Sequence, residues 1–472
     1  MESATLRKRI AELRPEYEDR LGALVSIASV SMDPKRAPEM AACASLAGES
    51  LRAAGARVDV IDTGGFPIVL GRFTQDPSLP TVTVYNHLDV QPADGPGWKT
   101  PPFSLTRDDS GDRWFGRGAT DDKGPALAAL YGARLALETG ARVNIQFLWE
   151  LEEEIGSPHF ESGLAAAITG DEGEGGAVQG RPPFATDSVV VSDTIWTAAG
   201  HPSISYGLRG LMGFTIALET GAKDVHSGTT GGLARNPIGE LAALINDCYD
   251  ARTGRVKIPG FYDRVRRVTA AERKAFARAR FSRKRFKEAH ELASLRPIKD
   301  DVSGLVALTA APTFELHGIV GGYSGPGIKT IVPHRAEAKL STRLVPDQKP
   351  ADVFRKIQRF VKSRLPDAVV THEASLEPYL AELGGPDNAA AAAAMRATFG
   401  KDPAFVREGG SIGAVLTMRR LLDVPVIFMG LSLPEHGYHA VNENFDWPQA
   451  SGGMEMFCRY FHEIAARGRI HG

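Results

Sequence analysis

A chain of 472 residues is longer than one ordinary domain, so two or more domains are expected. Hydrophobic residues make up 43% and charged residues 24%, proportions that are typical of a soluble globular protein. The formal net charge is only −2, so the overall charge indicates neither a nucleic-acid partner nor an anionic membrane. No apolar run approaches the roughly 18 residues of a membrane-spanning helix.

The three cysteines of the chain are Cys43, Cys248 and Cys458. An odd and widely scattered set predicts neither a disulfide framework nor a cysteine-based zinc site. Such usage is typical of a reducing compartment, and we therefore expect a cytoplasmic protein.

The first part of the chain alternates segments of helical and strand character. Helices are predicted over Met40–Ala54 and Pro125–Leu137, the second with proline in its favoured first turn. The predicted strands are Arg57–Thr63, Thr81–Tyr85, Val143–Trp149 and Ser188–Val191. This alternation predicts an α/β domain with a mixed sheet flanked by helices. In such sheets ligands bind beyond the carboxyl ends of the strands.

The pattern changes near residue 210, where strands and helices alternate at a smaller scale. The predicted elements there are Phe214–Thr220, Pro237–Tyr249, Glu337–Val345, Ala351–Leu365 and Val369–Leu376. This order predicts a ferredoxin-like α+β domain. The first pattern resumes after about residue 385, with segments Ala389–Phe399, Val424–Met429 and Gln449–Ala466. We therefore predict one domain formed by residues 1–209 and 382–472, with a second domain, residues 210–381, inserted into it.

The inserted part contains a segment rich in lysine and arginine, Arg264–Glu288. A solvated helical face is the simpler interpretation of such a segment. Binding to nucleic acid is the alternative, which we disfavour because neither interleaved aromatic residues nor a known binding module accompanies the basic residues.

The strand that ends near Tyr85 leads into a His-x-Asp pattern formed by His87 and Asp89. At the two-residue period of a strand, both side chains point to the same side. A metal-bound histidine usually donates its second ring N–H to a carboxylate, and Asp89 stands where it can accept it. Taken alone, the pattern is explained more often by a histidine at a strand end without a metal.

Two acidic segments follow, one in a glycine-rich loop before a predicted helix and one beyond a predicted strand. The glycine-rich segment Gly116–Pro125 carries Asp121 and Asp122 directly before a helix. Helix capping explains one aspartate, but not two adjacent ones, which repel each other unless a cation neutralises one of them. The segment Glu150–Ser157 holds several glutamates beyond a predicted strand, for which a solvated acidic loop is the alternative.

Two more candidates are Asp193, beyond the strand Ser188–Val191, and His439, in a polar loop. Each is more often structural than functional when taken alone. The whole set supplies two imidazoles and three carboxylates, and predicts a two-metal site formed by His87, Asp121, Glu154, Asp193 and His439. Nitrogen and oxygen ligands without cysteine suit zinc, with manganese or cobalt as alternatives. Two such ions, roughly 3.5–4 Å apart, are suited to stabilising a hydrolytic transition state.

These motifs together resemble the M20 metallopeptidase family, and more narrowly its branch of cytosolic non-specific dipeptidases and carnosinases. The resemblance extends in order over nearly the whole chain. The motifs that carry it are Tyr85–Val90, Gly116–Pro125, Glu153–Ser157, Ser192-Asp193, Ser205–Gly210, Asp224–Gly228, Lys329–Pro333, Ser341–Pro346, Arg407–Ile412 and Tyr438-His439.

The resemblance implies a role for each of the metal-binding candidates. Asp121 is expected to bridge the two ions. His87 and Asp193 are expected to complete the site of one ion, and Glu154 and His439 the site of the other.

The resemblance also implies how the reaction is catalysed. Glu153 is expected to act as the general base that takes a proton from a water molecule activated by both metals. Asp89 is expected to orient His87. A cis peptide bond is expected between Asp121 and Asp122.

For the inserted domain, the resemblance implies a lid and the interface of a homodimer. His226 is expected to reach the active site of the partner and to stabilise the oxyanion, together with Thr330. Arg343, whose fork-shaped guanidinium suits a carboxylate, and Ser411 are expected to bind the carboxylate of the substrate. Glu408 is expected to lie near its amino group.

The leading hypothesis is hydrolysis of dipeptides or short peptides. An N-acyl amino-acid deacylase or a carboxypeptidase uses the same chemistry and remains an alternative. A non-catalytic metal-binding protein is an alternative of another class, disfavoured by the intact Glu153. Ile195 stands where this branch tends to have an aromatic residue, which leaves the side chains of the substrate open.

Overall fold

The helices and strands follow the predicted order along the chain. The computed structural model describes residues 3–170, 184–382 and 384–469. The helices in these ranges are Ser3–Val25, Ala37–Ala53, Lys123–Glu138, Phe160–Thr169, Ser227–Thr230, Pro237–Cys248, Ala270–Arg278, Arg283–Ala289, Asp301–Thr309, Pro350–Arg364, Pro386–Phe399, Gly413–Leu422 and Trp447–Arg467. Short 3-10 helices span Pro34–Arg36, Glu153–Ile155 and Pro434–His436. Within the described ranges, no helix has both the length and the apolar character needed to cross a bilayer.

The larger sheet has six strands and is mixed, as predicted. From edge to edge its strands are Arg57–Ile61, Ile68–Phe73, Asn144–Glu150, Thr81–His87, Ser188–Val191 and Val426–Phe428. The last four of these run parallel to one another, whereas the first two join the sheet by antiparallel pairing. The four parallel strands bring their carboxyl ends to one edge of the sheet.

Helices cover both faces of this sheet. In the strand Ser188–Val191, Val190 packs into one hydrophobic core, whereas Val189 and Val191 pack into another on the opposite face. The first core includes residues of Lys123–Glu138 and Trp447–Arg467, and the second includes residues of Phe160–Thr169 and Gly413–Leu422. Burial on both faces explains why this strand is a continuous apolar run rather than an alternating one.

The helix that follows the aspartate-containing loop packs very closely against the last helix of the chain. A Cβ atom added to Gly132 would lie 2.5 Å from the Cβ of Phe457 and 2.9 Å from the carbonyl oxygen of Met454. Glycine therefore allows the two backbones to approach at this position. This contact fixes the helix whose N-terminus carries the loop of Asp121.

The smaller sheet is antiparallel and has its own hydrophobic core. Its strands are, in order, Glu315–Gly321, Arg335–Leu344, Gly210–Glu219 and Val369–Leu376. Helices Pro237–Cys248 and Pro350–Arg364 supply Leu241 and Ile357 to that core. The arrangement confirms the predicted ferredoxin-like fold, while the boundaries given for the inserted domain stay a prediction.

The edge strand Glu315–Gly321 was not predicted from the sequence. All of its residues are exposed or half-buried, and it contains Gly318 and Gly321, so apolar and polar residues do not alternate along it. A strand of this kind has no periodic signal for sequence analysis to detect.

The basic segment forms two short helices, Ala270–Arg278 and Arg283–Ala289, and most of its Arg and Lys side chains are exposed. This agrees with the interpretation as a solvated helical face. However, Phe276 is buried in a small core with Tyr206 and Val406, which belong to the strands Ser203–Leu208 and Ala404–Glu408. The basic segment is therefore anchored beside residues that the sequence assigns to the larger domain.

Other strands complete the described part of the chain. They are Thr106–Arg107, Arg113–Phe115, Val225–His226, Ile331–Val332, Tyr379–Leu380 and Asn444–Asp446. Two short strands, Val225–His226 and Ile331–Val332, pair with each other and place two predicted functional segments side by side.

Candidate metal centre

The parallel strands of the larger sheet bring the predicted ligands to one edge. His87 is the last residue of its strand and pairs in register with Glu150, the last residue of the neighbouring strand. The 3-10 helix Glu153–Ile155 begins three residues later, and Asp193 lies two residues beyond the strand Ser188–Val191. Because the carboxyl ends of parallel strands share one edge, residues far apart in sequence converge there.

The first cluster consists of His87, Asp121 and Asp193, all of which are buried. The Nε2 atom of His87 lies 3.0 Å from Oδ1 of Asp121 and 3.8 Å from Oδ2 of Asp193. One nitrogen and two carboxylate oxygens therefore face a common point.

The second cluster consists of Asp121, Glu154 and His439. The Nε2 atom of His439 lies 3.1 Å from Oδ2 of Asp121 and 3.2 Å from Oε2 of Glu154. Asp121 thus belongs to both clusters and presents a different carboxylate oxygen to each of them.

The chemistry and spacing of these donor atoms fit two divalent cations. Nitrogen and oxygen atoms bind zinc at about 2.0–2.2 Å, so two ligands of one ion lie at most about 4.4 Å apart. The four distances above, from 3.0 to 3.8 Å, are within that limit. The Oδ2 atom of Asp121 is buried and has no hydrogen-bond partner among the described residues, so it is free to bind an ion.

The acidic groups at this edge are strongly perturbed electrostatically. Burial raises the pKa of the Asp193 carboxyl to about 7. Burial lowers the pKa of His87, but hydrogen bonds with Asp121 and Asp89 outweigh it and hold the pKa well above its ordinary value. Both shifts favour the protonated form, and buried carboxylates that lie close together attract positive charge, from protons or from divalent cations.

Asp89 connects the imidazole of His87 to the turn that carries Glu153 and Glu154. The Nδ1 atom of His87 lies 3.1 Å from the main-chain oxygen of Asp89 and 3.4 Å from its Oδ1. The same carboxylate accepts hydrogen bonds from the backbone N–H groups of Glu153, at 3.2 Å, and Glu154, at 3.0 Å. Sequence analysis predicted the contact between Asp89 and His87, but not the hydrogen bonds between Asp89 and the backbone of the turn.

The run of glutamates divides into two structural and two candidate functional residues. Glu150 accepts hydrogen bonds from Tyr85 and from Ser157, and Glu152 accepts one from the backbone N–H of Phe66 at 3.0 Å. Burial raises the pKa of Glu150 to about 8. The solvated acidic loop considered from sequence is thus wrong for both of these residues, because they are buried.

Glu153 and Glu154 lie in the 3-10 helix next to the centre. Glu154 belongs to the second cluster, whereas Glu153 is half-buried and lies near enough to interact electrostatically with His87 and Asp193. The pKa of Glu153 is raised well above its ordinary value, first because of burial and further because of the nearby charge of Asp193. The peptide bond between Asp121 and Asp122 is cis, as predicted.

Glu443 is a supporting residue that sequence analysis did not identify. It is fully buried and accepts a hydrogen bond from Arg117 at 2.8 Å. It also accepts hydrogen bonds from the backbone N–H groups of Gly118, Thr120 and Asp121, at 3.0, 3.0 and 3.1 Å. It therefore shapes the loop that carries the shared aspartate. Its position four residues after His439 was the only available signal.

The residues predicted to bind the substrate carboxylate lie together. Arg343 donates a hydrogen bond of 2.9 Å to the hydroxyl of Ser411, which donates one of 2.5 Å to the main-chain oxygen of Arg209. Glu408 accepts a hydrogen bond of 3.4 Å from the backbone N–H of Ile195, two residues after Asp193. The predicted ammonium-binding residue thus lies beside a segment that carries a candidate ligand.

His226 and Thr330 lie next to each other, but in the described part of the chain no hydrogen bond or ion pair joins them to the residues predicted to bind the ends of the substrate. His226 pairs with Ile331 across two short strands, and the N–H of Ser227 donates to the oxygen of Thr330 at 3.0 Å. Both His226 and Thr330 are exposed. Among the described residues, no hydrogen bond or ion pair joins either of them to the two clusters.

A mixed α/β sheet whose carboxyl edge gathers imidazoles, carboxylates and an adjacent glutamate defines a metal-dependent hydrolase. The profile of Peptidase family M20/M25/M40 matches residues 83–463. The chain therefore belongs to this peptidase family, which confirms the resemblance seen in its motifs.

Individual relatives extend this comparison over nearly the full length of the chain. The Cys-Gly metallodipeptidase dug1 of Schizosaccharomyces pombe is 33% identical over 477 residues, covering 97% of this chain and 97% of that protein. The crystal structure of human carnosine dipeptidase 1 matches with a TM-score of 0.85 and 30% identity, covering 98% of each chain. The metallo-carboxypeptidase Sso-CP2 of Sulfolobus solfataricus matches with a TM-score of 0.83 and 28% identity, covering 96% of this chain and 99% of that one.

We expect Glu443→Gln to weaken zinc binding by about 10- to 100-fold, because it removes the group that shapes the Asp121 loop. It also breaks the buried ion pair with Arg117, which should lower the free energy of unfolding by roughly 3–5 kcal/mol. Calorimetric zinc titration and urea unfolding measure the two effects. The exposed residue Glu463 offers a matched control, Glu463→Gln, and equal zinc affinity in both variants would contradict the assigned role of Glu443.

Proposed function

We propose that this protein is a two-metal dipeptidase. The observation that carries the proposal is the sharing of Asp121 between two clusters of metal-binding groups, with Glu153 beside them. The similarity to proteins named as dipeptidases, dug1 and human carnosine dipeptidase 1, supports the choice of a dipeptide as substrate.

In this proposal, His87 and Asp193 would hold one ion, Glu154 and His439 would hold the other, and Asp121 would contribute to both sites. Divalent cations in such a site lower the pKa of a bound water and polarise the peptide carbonyl. The donor set favours zinc, with manganese or cobalt as alternatives.

Glu153 acts as the general base and then as the general acid. Its carboxylate takes a proton from the attacking water and returns that proton to the nitrogen of the leaving amine. The hydrogen bond between its backbone N–H and Asp89 holds the turn in place, so the carboxylate stays near the reacting atoms. Asp89 is therefore a positioning residue for both His87 and Glu153.

Two charged groups recognise the ends of the substrate. Arg343, held by its hydrogen bond to Ser411, binds the terminal carboxylate with its fork of N–H donors. Glu408 binds the free ammonium group at the other end. A site that recognises both ends suits a dipeptide better than a longer chain.

A carboxypeptidase or a deacylase of N-acyl amino acids is the second candidate. The similarity to the metallo-carboxypeptidase Sso-CP2 favours it. The metal centre and Arg343 serve this reaction equally well, because only the amino end of the substrate differs. The role proposed for Glu408 separates the two candidates, since an acylated substrate has no ammonium group for it to bind.

We also propose that the protein forms a homodimer through the inserted domain. The segments around His226 and Thr330 expose apolar side chains, Leu233 at 93% and Ile328 at 95% of their surface. Burying side chains of this size against a partner removes apolar surface from water, which favours association. Burying them in a dimer would let the exposed His226 enter the active site of the partner, where it would stabilise the oxyanion.

The location proposed for this dimer is the cytoplasm. Cys43, Cys248 and Cys458 are all free and buried, as suits a reducing compartment.

Replacing Glu153 with glutamine should lower kcat for dipeptide hydrolysis by about 10²- to 10⁴-fold, since proton transfer is lost. Zinc content should stay at the wild-type level, because the amide preserves the shape of the turn. The measurement is steady-state hydrolysis with protein of known metal content, and the exposed Glu49 provides the control Glu49→Gln. Wild-type turnover in the Glu153 variant would refute its role as the base.

Co-expression of His226→Ala with Glu153→Gln tests the dimer directly. Each variant alone should be nearly inactive, but a mixed dimer has one site with an intact Glu153 and an intact His226 of the partner subunit. Random pairing should therefore restore about a quarter of the wild-type activity, because a two-fold dimer has two equivalent sites. If His226 serves its own subunit instead, mixing restores nothing.

A further inference from the structure

A cavity of about 210 Å³ opens beside the candidate metal centre. Apolar side chains form most of its walls, among them Trp196, Phe281, Phe286, Leu305, Leu308 and Val406. Glu408 also lines the cavity and already has a proposed role, but that role does not explain the apolar walls.

Three of the residues lining the cavity connect it to the reacting centre. Tyr438 donates a hydrogen bond of 3.1 Å from its hydroxyl to Oδ1 of Asp193. Ile195 lies two residues beyond Asp193, and its N–H donates to Glu408, which also lines the cavity. The cavity is therefore continuous with the place proposed for the ammonium group of the substrate.

The outer wall is supplied by the basic segment and the helix that follows it. The rings of Phe281 and Phe286 are tilted against each other at a centroid distance of 5.7 Å, and the rings of Phe286 and His290 meet edge-on at a centroid distance of 4.3 Å. The hydroxyl of Thr197 donates a hydrogen bond of 2.6 Å to the main-chain oxygen of Ala279, which ties this segment to the larger domain. The wall is thus held against the centre by specific contacts.

The charged groups in the cavity are mostly engaged with protein partners. Arg407 forms an ion pair with Glu272, which also accepts a hydrogen bond of 2.9 Å from Tyr206. Arg209 donates to the main-chain oxygen of Gly409 at 2.8 Å. The Nε and Nη1 atoms of Arg407 are buried without a partner among the described residues, so an acidic guest is the competitor to an apolar one.

We propose that this cavity binds the N-terminal side chain of the dipeptide and selects a large apolar side chain, above all an aromatic one. The inference rests on the proposed function, because the carbon that bears the ammonium group at Glu408 also bears this side chain. An apolar cavity of about 150 Å³ is large enough to bind benzene, so the larger volume here accommodates a phenyl ring. The lining of aromatic and branched apolar residues favours such a guest over a polar one.

The test uses zinc-loaded protein and four substrates that differ only at the N-terminal residue: Ala-Gly, Leu-Gly, Phe-Gly and Glu-Gly. We expect kcat/KM to rise from Ala-Gly through Leu-Gly to Phe-Gly, by roughly tenfold or more in total, because more apolar surface is buried. Leu308→Trp fills the cavity and should bring the Phe-Gly to Ala-Gly ratio close to one. Leu292→Trp, at an exposed leucine outside the cavity, should keep the wild-type ratio.

A second cavity variant keeps the test informative if Leu308→Trp fails to fold. Phe281→Ala removes part of the half-buried wall and should also lower the ratio. A wild-type ratio near one, or an unchanged ratio in both cavity variants, would overturn the assignment of the cavity while leaving dipeptide hydrolysis intact. A preference for Glu-Gly would overturn it in favour of an acidic guest at Arg407. Failure to hydrolyse any of the four substrates at full zinc occupancy would overturn the proposed function, and this inference with it.

Discussion

The carboxylate of Asp121 is the group on which the candidate centre depends. Its two oxygens face two different clusters, at 3.0 Å from the imidazole of His87 and at 3.1 Å from that of His439. A buried carboxylate shared in this way is stable only if positive charge lies on both sides of it. The surrounding structure, from the order of the strands to the hydrogen bonds of the loop, serves to hold this one side chain between the two clusters.

Two further carboxylates hold the centre together without belonging to either cluster. Glu443 shapes the loop that ends in Asp121, and Asp89 binds both the imidazole of His87 and the turn that carries Glu153. The likeness to known dipeptidases and to a metallo-carboxypeptidase concerns the whole chain, so it does not by itself choose a substrate. That choice depends on the groups around the centre, chiefly Glu408 and the apolar cavity next to it.

Sequence analysis predicted the parts of the fold that have strong periodic signals. The strand Ser188–Val191 was predicted with the bounds that the structure shows, since a short run of valines is distinctive. The ligand positions were accessible for a related reason, because His87 and Asp193 lie at strand ends, where parallel sheets bind ligands. The motifs shared with a known family then linked segments that no local pattern connects.

Other features depend on contacts between distant residues and could not be predicted. Four neighbouring acids look alike in sequence, yet burial and partners separate the structural Glu150 from Glu153. The role of Glu443 arises from hydrogen bonds to a loop that lies 322 to 326 residues earlier in the chain. The basic segment shows its charge in the sequence, but its aromatic residues become a cavity wall only when they pack beside Val406.

The most direct test of the shared carboxylate is a measurement of zinc stoichiometry and affinity for the wild type and for Asp121→Ala. Two ions per chain are expected in the wild type, and both should bind far more weakly in the variant, since one side chain contributes to both sites. A variant that retains one zinc ion at wild-type affinity would show that Asp121 binds a single ion, and would contradict the account.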